Sequence, residues 1–188
     1  MSNTHGSAIL VKRDAPIRES SAEVIHLPAE SPRPLLTTYL ILRGYGVRLL
    51  NLHLTRPANF WGDAFQKIEL AALGFWRNPD LALGSSWREV AEGYHVRSLR
   101  IENGPLIVAG DFNVTPWSPR FQRLLREARL KNSMRGFGMQ NSWPSVLPLP
   151  LGIPIDHALH SPSLTTLDRK TVRVAGTDHA MLVVTFGF

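Results

Sequence analysis

Apolar residues fall in short runs near the start of the chain, at helical spacing across its middle, and in short runs again at its end. Ser7 to Val11 reads as a short buried strand, Arg13 to Ser21 as a polar, proline-containing connection, and Ala22 to Leu27 as a second strand. The proline-rich stretch Pro28 to Pro34 is incompatible with a helix and reads as a loop. Beyond it, Leu35 to Leu42 and Val47 to Leu54 flank Gly44-Tyr45-Gly46, which predicts a β-hairpin. From Asn59 to about Trp76 the residues Phe60, Ala64, Ile68, Ala71, Ala72 and Phe75 recur at helical spacing, so one helix face should pack on a sheet.

Ser86-Trp87-Arg88-Glu89 has the spacing of a capping box and predicts a second helix through Leu99, stopped at Asn103-Gly104. Pro105 to Ala109 is a fully apolar strand. Ser118-Pro119 then predicts a capped helix to about Ala128, with Phe121, Leu124, Leu125 and Ala128 on its apolar side. Arg120, Arg123, Arg126 and Arg129 drift across the opposite side and read as a solvated face. Lys131 to Gly152 is irregular, a length that in a compact domain points to function or mobility. The end is strand-rich, over Ile155 to Leu159, Thr171 to Ala175 and Met181 to Phe186, and no internal repeat or interdomain linker interrupts the chain.

With 188 residues, 44% of them hydrophobic, the chain can bury one sizeable core and is too short for two comfortable domains, which predicts a single α/β domain. The absence of cysteine excludes disulfides, thiolate zinc sites and cysteine nucleophiles and leaves the compartment open. Neither a signal segment nor an apolar stretch of about 18 residues is present, so the chain as written is expected to be soluble, any membrane anchor lying outside it. The net charge of +6 rests on 17 arginines against 4 lysines. The guanidinium fork suits phosphate, although arginine-rich surfaces also arise without any anionic partner.

Three acidic motifs carry the candidate chemistry: Gly110-Asp111-Phe112-Asn113, Ile155-Asp156-His157 and Thr177-Asp178-His179, each at or beside an apolar strand-like run. Carboxylate and amide oxygens with an oriented histidine are what divalent-metal hydrolysis of a phosphate ester requires. Alternation should bury Phe112 and send Asp111 and Asn113 to one side. The competing reading is an Asx turn in which both only bond the local backbone. Asp178 is a candidate metal ligand and His179 a group for phosphate or water, with Asp156 the natural partner to fix the second ring nitrogen of His179. His53, at the end of Val47 to Leu52, is either a satisfied core histidine or a proton donor to the leaving oxygen. His5, His26, His95, His157 and His160 read as structural, with His157, beside Asp156, the one open to reassignment.

Gly110-Asp111-Phe112-Asn113 with Pro116 and Ser118, then Pro154-Ile155-Asp156-His157, then Thr177-Asp178-His179, occur in an order that resembles the endonuclease/exonuclease/phosphatase superfamily. Leu52-His53-Leu54 resembles the strand carrying a catalytic histidine in DNase I-like members, and Gly6 to Leu10 the strand before it. The chain resembles the later two-thirds of that domain. The resemblance implies a four-layer α/β/β/α sandwich, without its first strands, and a phosphoesterase site that uses Mg²⁺ or Mn²⁺. It implies His179 as principal catalytic histidine, oriented by Asp156, and Asp111 to position or deprotonate water and to meet the metal. Asn113 would bind phosphate, Asp178 would ligate the metal, and His53 would stabilise the transition state or protonate the leaving oxygen. The base is Asp111 or His179.

The family normally begins with a strand ending in Asn and a Gln-Glu pair that supplies the main metal-binding Glu, and neither is found before Gly6. An N-terminally truncated domain spanning 1–188 is therefore expected, either active or impaired to a phosphate- or nucleic-acid-binding module. An open sheet edge would invite a homodimer. The substrate is a phosphate ester, whether nucleic acid, phospholipid headgroup or small phosphodiester. Trp117 and Trp143-Pro144 resemble bacterial members with an N-terminal membrane anchor.

Overall fold

The computed structural model describes residues 7–78, 104–148 and 151–188, and the helix expected over Ser86 to Leu99 lies outside them. Strands β1 (Ile17–Ile25), β2 (Leu35–Leu42), β3 (Tyr45–His53), β4 (Leu106–Asp111), β5 (Lys131–Asn132) and β6 (Asp156–His160) form one mixed sheet. Its order is β1-β2-β3-β4-β6-β5, with β3 and β4 parallel and the other pairs antiparallel. Strands β7 (Thr165–Arg173) and β8 (Ala180–Gly187) make a second, antiparallel sheet. Helices α1 (Phe60–Arg77) and α2 (Pro119–Glu127) complete the described elements.

The hairpin β2–β3 turns at Arg43 and Gly44, at φ 50° and 87°, rather than at the expected Gly44-Tyr45-Gly46. A two-residue turn matched to strand twist requires positive φ at both central positions, and Gly44 takes the second of them at no steric cost. Helix α1 fills the stretch of helical spacing and is capped by Asn59, whose Oδ1 accepts Gly62 N at 2.8 Å. Ser118 caps α2 by position without a side-chain bond, leaving Pro119 to set the first turn. Leu70, Leu73 and Trp76 of α1 join Phe121 and Leu124 of α2 against Leu50, Leu52, Val108 and Leu159 of the large sheet. Each such side chain contributes about 1.5–3 kcal/mol by leaving water.

Three strand assignments change. Ser7 to Val11 is not a strand: Leu10 is 91% exposed, so the run has no surface to pack on, although Ala8 O accepts a bond from Asn51 Nδ2. The latter part of the polar connection, Ile17 to Ser21, is instead the first half of β1, which pairs with β2 from Ile17↔Leu42 onward. An edge strand takes its stability from ladder bonds to one neighbour and tolerates polar residues that a central strand would not. Likewise β7 begins six residues before the expected Thr171, on the polar Thr165-Thr166, drawn in by pairing with β8. The arginine row of α2 is partly spent internally, Arg120 pairing with Asp63 of α1 at 2.7 Å and Arg123 with Glu127 at 2.6 Å. No helix among the described residues is long and apolar enough to cross a membrane.

Candidate active site

Three strand ends meet at one edge of the large sheet. Strand β3 ends on His53, β4 ends on Asp111 and β6 begins on Asp156, and the register pairs His53 with Asp111 and Asp111 with Asp156. Directly paired residues share a face. Val108 and Leu159 are such a pair on the helix face, and Asp111 lies an odd number of positions, three, beyond Val108. The row His53, Asp111, Asp156 therefore points away from α1 and α2, toward the side of β7 and β8. On that side the rings of His160 and Phe186 lie 5.3 Å apart.

The fourth group comes from the β7–β8 connection. Asp178 O accepts Ser145 N at 2.7 Å, Thr177 Oγ1 accepts His179 N at 3.1 Å, and Ser142 O accepts Ala180 N at 2.8 Å. Ser142 also ties the start of β6, its Oγ accepting the N–H groups of Ile155 and Asp156 at 3.0 Å each. So anchored, His179 Nδ1 stands 2.8 Å from Asp156 Oδ2. Asp178 lies at the rim, where Trp143 Nε1 donates to its Oδ2 at 2.9 Å and holds its carboxyl below the usual range. The guanidinium of Arg56 lies 5.5 Å over the Trp143 ring.

Phe112 is fully buried, and its neighbours Asp111 and Asn113 reach the cleft. Asp111 is both an Asx-turn acceptor and a cleft carboxylate: Oδ1 accepts Asn113 N at 2.8 Å, and Oδ2 lies 3.5 Å from His53 Nε2. The Asx turn does not exclude the functional reading, because a carboxylate has two oxygens. Asn113 sits at φ 50°, a left-handed conformation that asparagine adopts more readily than most residues, and its Nδ2 donates to Leu54 O at 2.9 Å. Gln66 Nε2 ties Asn113 O and Thr55 O, each at 2.9 Å, to α1. Burial pushes the Asp111 carboxyl up to about 6, with the Asp156 charge adding to the effect and the Asn113 N–H, His179 and Arg33 opposing it.

His53, Asp111, Asn113, Asp178 and His179 all line one cleft of about 550 Å³, and Asp156 joins them through His179. A groove of about 690 Å³ lies at the other end of β6, by His160, and holds none of these groups. Among the described residues one group has metal-ligand spacing, Asp111, Asp156 and His179, whose ligand atoms all lie within 4.8 Å of one another. Two carboxylates and an imidazole form a donor set for a divalent cation. Such an ion would also relieve the mutual repulsion of Asp111 and Asp156, so the residues present fit it. Asp178 stands outside that group.

The histidines read as structural divide. His5 and His95 lie outside the described residues, His26 Nδ1 bonds Ser31 O at 2.7 Å, and His160 Nδ1 bonds Ser161 O at 2.9 Å. His157 is fully buried against Phe112 and Phe121, with Nε2 donating to Val114 O at 2.8 Å. Burial pushes its pKa down to about 4, so the folded chain keeps it neutral while an unfolded chain protonates it below about 6.5. Its contribution is complete above pH 6.5 and is lost as pH falls toward 4, a loss of about 3 kcal/mol. Urea midpoints at pH 7.5 and 5 should therefore diverge less in His157→Gln, which keeps a donor for Val114 O; an equal fall in both proteins would contradict this assignment.

Ser142, Arg33, Arg56 and Gln66 carry no sequence signal, and Trp143 none for its bond to Asp178, since each acts through a partner distant in the chain.

The family model described as "Endonuclease/Exonuclease/phosphatase family" matches residues 2–179. No curated protein matches the chain. The fold is similar to the human Nocturnin catalytic domain with bound sulfate anion, with TM-score 0.62 and 16% identity over 92% of this chain and 60% of that one. It is similar to an endonuclease/exonuclease/phosphatase from Bacteroides vulgatus, with TM-score 0.65 and 15% identity over 94% of this chain and 67% of that one. D. rerio TDP2 complexed with single strand DNA product gives TM-score 0.60 and 16% identity over 92% of this chain and 69% of that one. The chain thus spans about three fifths of the length of Nocturnin's domain and 45% of an endonuclease/exonuclease/phosphatase from Beutenbergia cavernae. A match that runs through all three acidic motifs and covers nearly all of the sequence places this chain in the endonuclease/exonuclease/phosphatase family.

Proposed function

We propose that the chain hydrolyses phosphate esters in the cleft at His53, Asp111 and His179, with Mg²⁺ or Mn²⁺ held by Asp111 and Asp156. The observation that carries this reading is the convergence of Asp111, Asp156 and His179 within 4.8 Å at one end of three strands. A bound divalent ion supplies charge against the negative charge that builds on the phosphate. With Nδ1–H donated to Asp156, His179 keeps its Nε2 lone pair for the cleft, where it takes a proton from water or, once protonated, holds a phosphate oxygen. Asp111 Oδ2 positions the attacking water. Asn113, with one amide hydrogen committed to Leu54 O, offers the other to phosphate. His53, 3.5 Å from Asp111, protonates the leaving oxygen. Asp178 steadies Trp143 and adds negative charge at the rim.

A phosphate-ester substrate is supported by two structures of similar fold, one described as holding a single strand DNA product and another as a mannosyl-6-phosphatase. The test is hydrolysis of bis(p-nitrophenyl) phosphate and of a single-stranded oligonucleotide with Mg²⁺ or Mn²⁺, against EDTA and His179→Ala. Turnover that needs metal and falls at least about 100-fold in His179→Ala is the expected result. No turnover in any metal would overturn the hydrolytic reading and leave the chain an impaired fragment or a binding module.

A further inference from the structure

Arg33 is a cation of the cleft that the mechanism above leaves unused. It lines the cleft with His53, Asp111 and His179. Its backbone is fixed from several sides: Ser31 Oγ accepts Arg33 N at 3.2 Å, Ser31 N donates to Pro28 O at 2.9 Å, and His26 Nδ1 bonds Ser31 O. Two residues later the buried Leu35 opens β2. The guanidinium thus projects from an anchored loop. Its Nη1 is buried and has no hydrogen-bond partner among the described residues, nor does Arg33 form an ion pair among them.

A buried donor without an acceptor is costly, and a charged one more so. Glu69 is the obvious internal partner, yet it does not meet the guanidinium: its carboxylate accepts Thr55 N at 2.7 Å, Thr55 Oγ1 at 3.1 Å and Ser31 Oγ at 3.5 Å. Arg33 instead acts at a distance on both Glu69 and Asp111, lowering the pKa of each carboxyl against the rise that burial causes. A cation that faces the cleft, rigid at its base and unsatisfied at its head, matches an anion brought in from outside. Arg56, the other cleft arginine, is exposed and stacked on Trp143, which leaves Arg33 as the inner of the two.

We propose that Arg33 is a substrate-binding residue whose guanidinium takes a non-bridging oxygen of the phosphate group that sits between His53, Asp111 and His179. This rests on the phosphoesterase reading for its substrate, though its first test does not need turnover. Inorganic phosphate is titrated calorimetrically into the unaltered chain, Arg33→Met and Arg33→Lys, all in EDTA, and bis(p-nitrophenyl) phosphate hydrolysis is then followed with Mn²⁺. Arg33→Met should bind phosphate about 10- to 100-fold more weakly and Arg33→Lys should recover part of that, with KM for the diester rising in parallel.

Phosphate binding by the unaltered chain without hydrolysis in any metal would sink the hydrolytic reading and leave this one standing. Unchanged affinity in Arg33→Met, or no measurable binding by the unaltered chain, overturns the proposal. Should Arg33→Met also lower the urea midpoint, Arg33→Met/Glu69→Gln separates the roles. A merely structural Arg33 predicts that removing the Glu69 charge restores phosphate affinity, and a phosphate-binding Arg33 predicts that the loss persists.

Discussion

Replacing Gly110 by alanine is expected to destabilise the fold by about 4 kcal/mol or more and to abolish any activity at the cleft. Gly110 lies at φ 142°, where L side chains are rarely found, and a Cβ there would stand 1.9 Å from Leu52 O and 2.9 Å from Leu52 C. Leu52 and Gly110 are partners in the parallel β3–β4 ladder, directly before the His53–Asp111 pair. Relief requires the two backbones to part where the row of functional side chains is assembled. Gly136 isolates the backbone part of the effect, because it too has positive φ, 92°, but has nothing within 4 Å of the added carbon. Gly136→Ala should cost only about 1 kcal/mol. Urea midpoints for both variants decide the matter, and a Gly110→Ala protein as stable as Gly136→Ala would refute the close approach of β3 and β4.

The second large effect is expected at Asp156→Asn, with kcat falling about 100- to 10,000-fold and KM for a diester little changed. The carboxylate accepts from Nδ1 of His179 and so fixes which ring nitrogen carries the proton. An amide in its place can offer N–H to Nδ1, moving the proton to Nε2 and removing the base from the cleft. Asp156 also belongs to the group with metal-ligand spacing, and the two roles respond differently to added metal. Loss of a ligand alone is repaired by excess Mn²⁺, whereas a wrong tautomer is not, so the deficit should persist at saturating metal. Activity within threefold of the unaltered chain would mean that Asp156 neither orients His179 nor binds the ion. The urea midpoint serves as the control for folding.

Much of this architecture is legible in local pattern. Leu35 to Leu42 is a strand with the expected bounds, α1 begins at its Asn59 cap, and α2 follows Ser118-Pro119. Each is stabilised by interactions within a few residues, or by a face whose periodicity is written into the chain. The errors lie where stability comes from a distant partner. The polar opening of β1 and the first residues of β7 are strands because β2 and β8 supply their ladder bonds, and the two-residue turn at Arg43-Gly44 is set by the hairpin's twist.

The amino-acid sequence by itself determined an α/β fold and the family, and it named His53, Asp111, Asn113, Asp156, Asp178 and His179 as the candidates for its chemistry. Tertiary structure decided their relations. Strand register set His53, Asp111 and Asp156 in one row, the β7–β8 connection brought His179 onto Asp156, Trp143 engaged Asp178 at the rim, and a loop far upstream placed Arg33 in the same cleft. The division has a physical cause. A side chain's type and periodicity state what chemistry it offers and which face of its element it occupies, while its neighbour across the sheet depends on pairing between residues 45 to 58 apart in the chain, which no local pattern encodes.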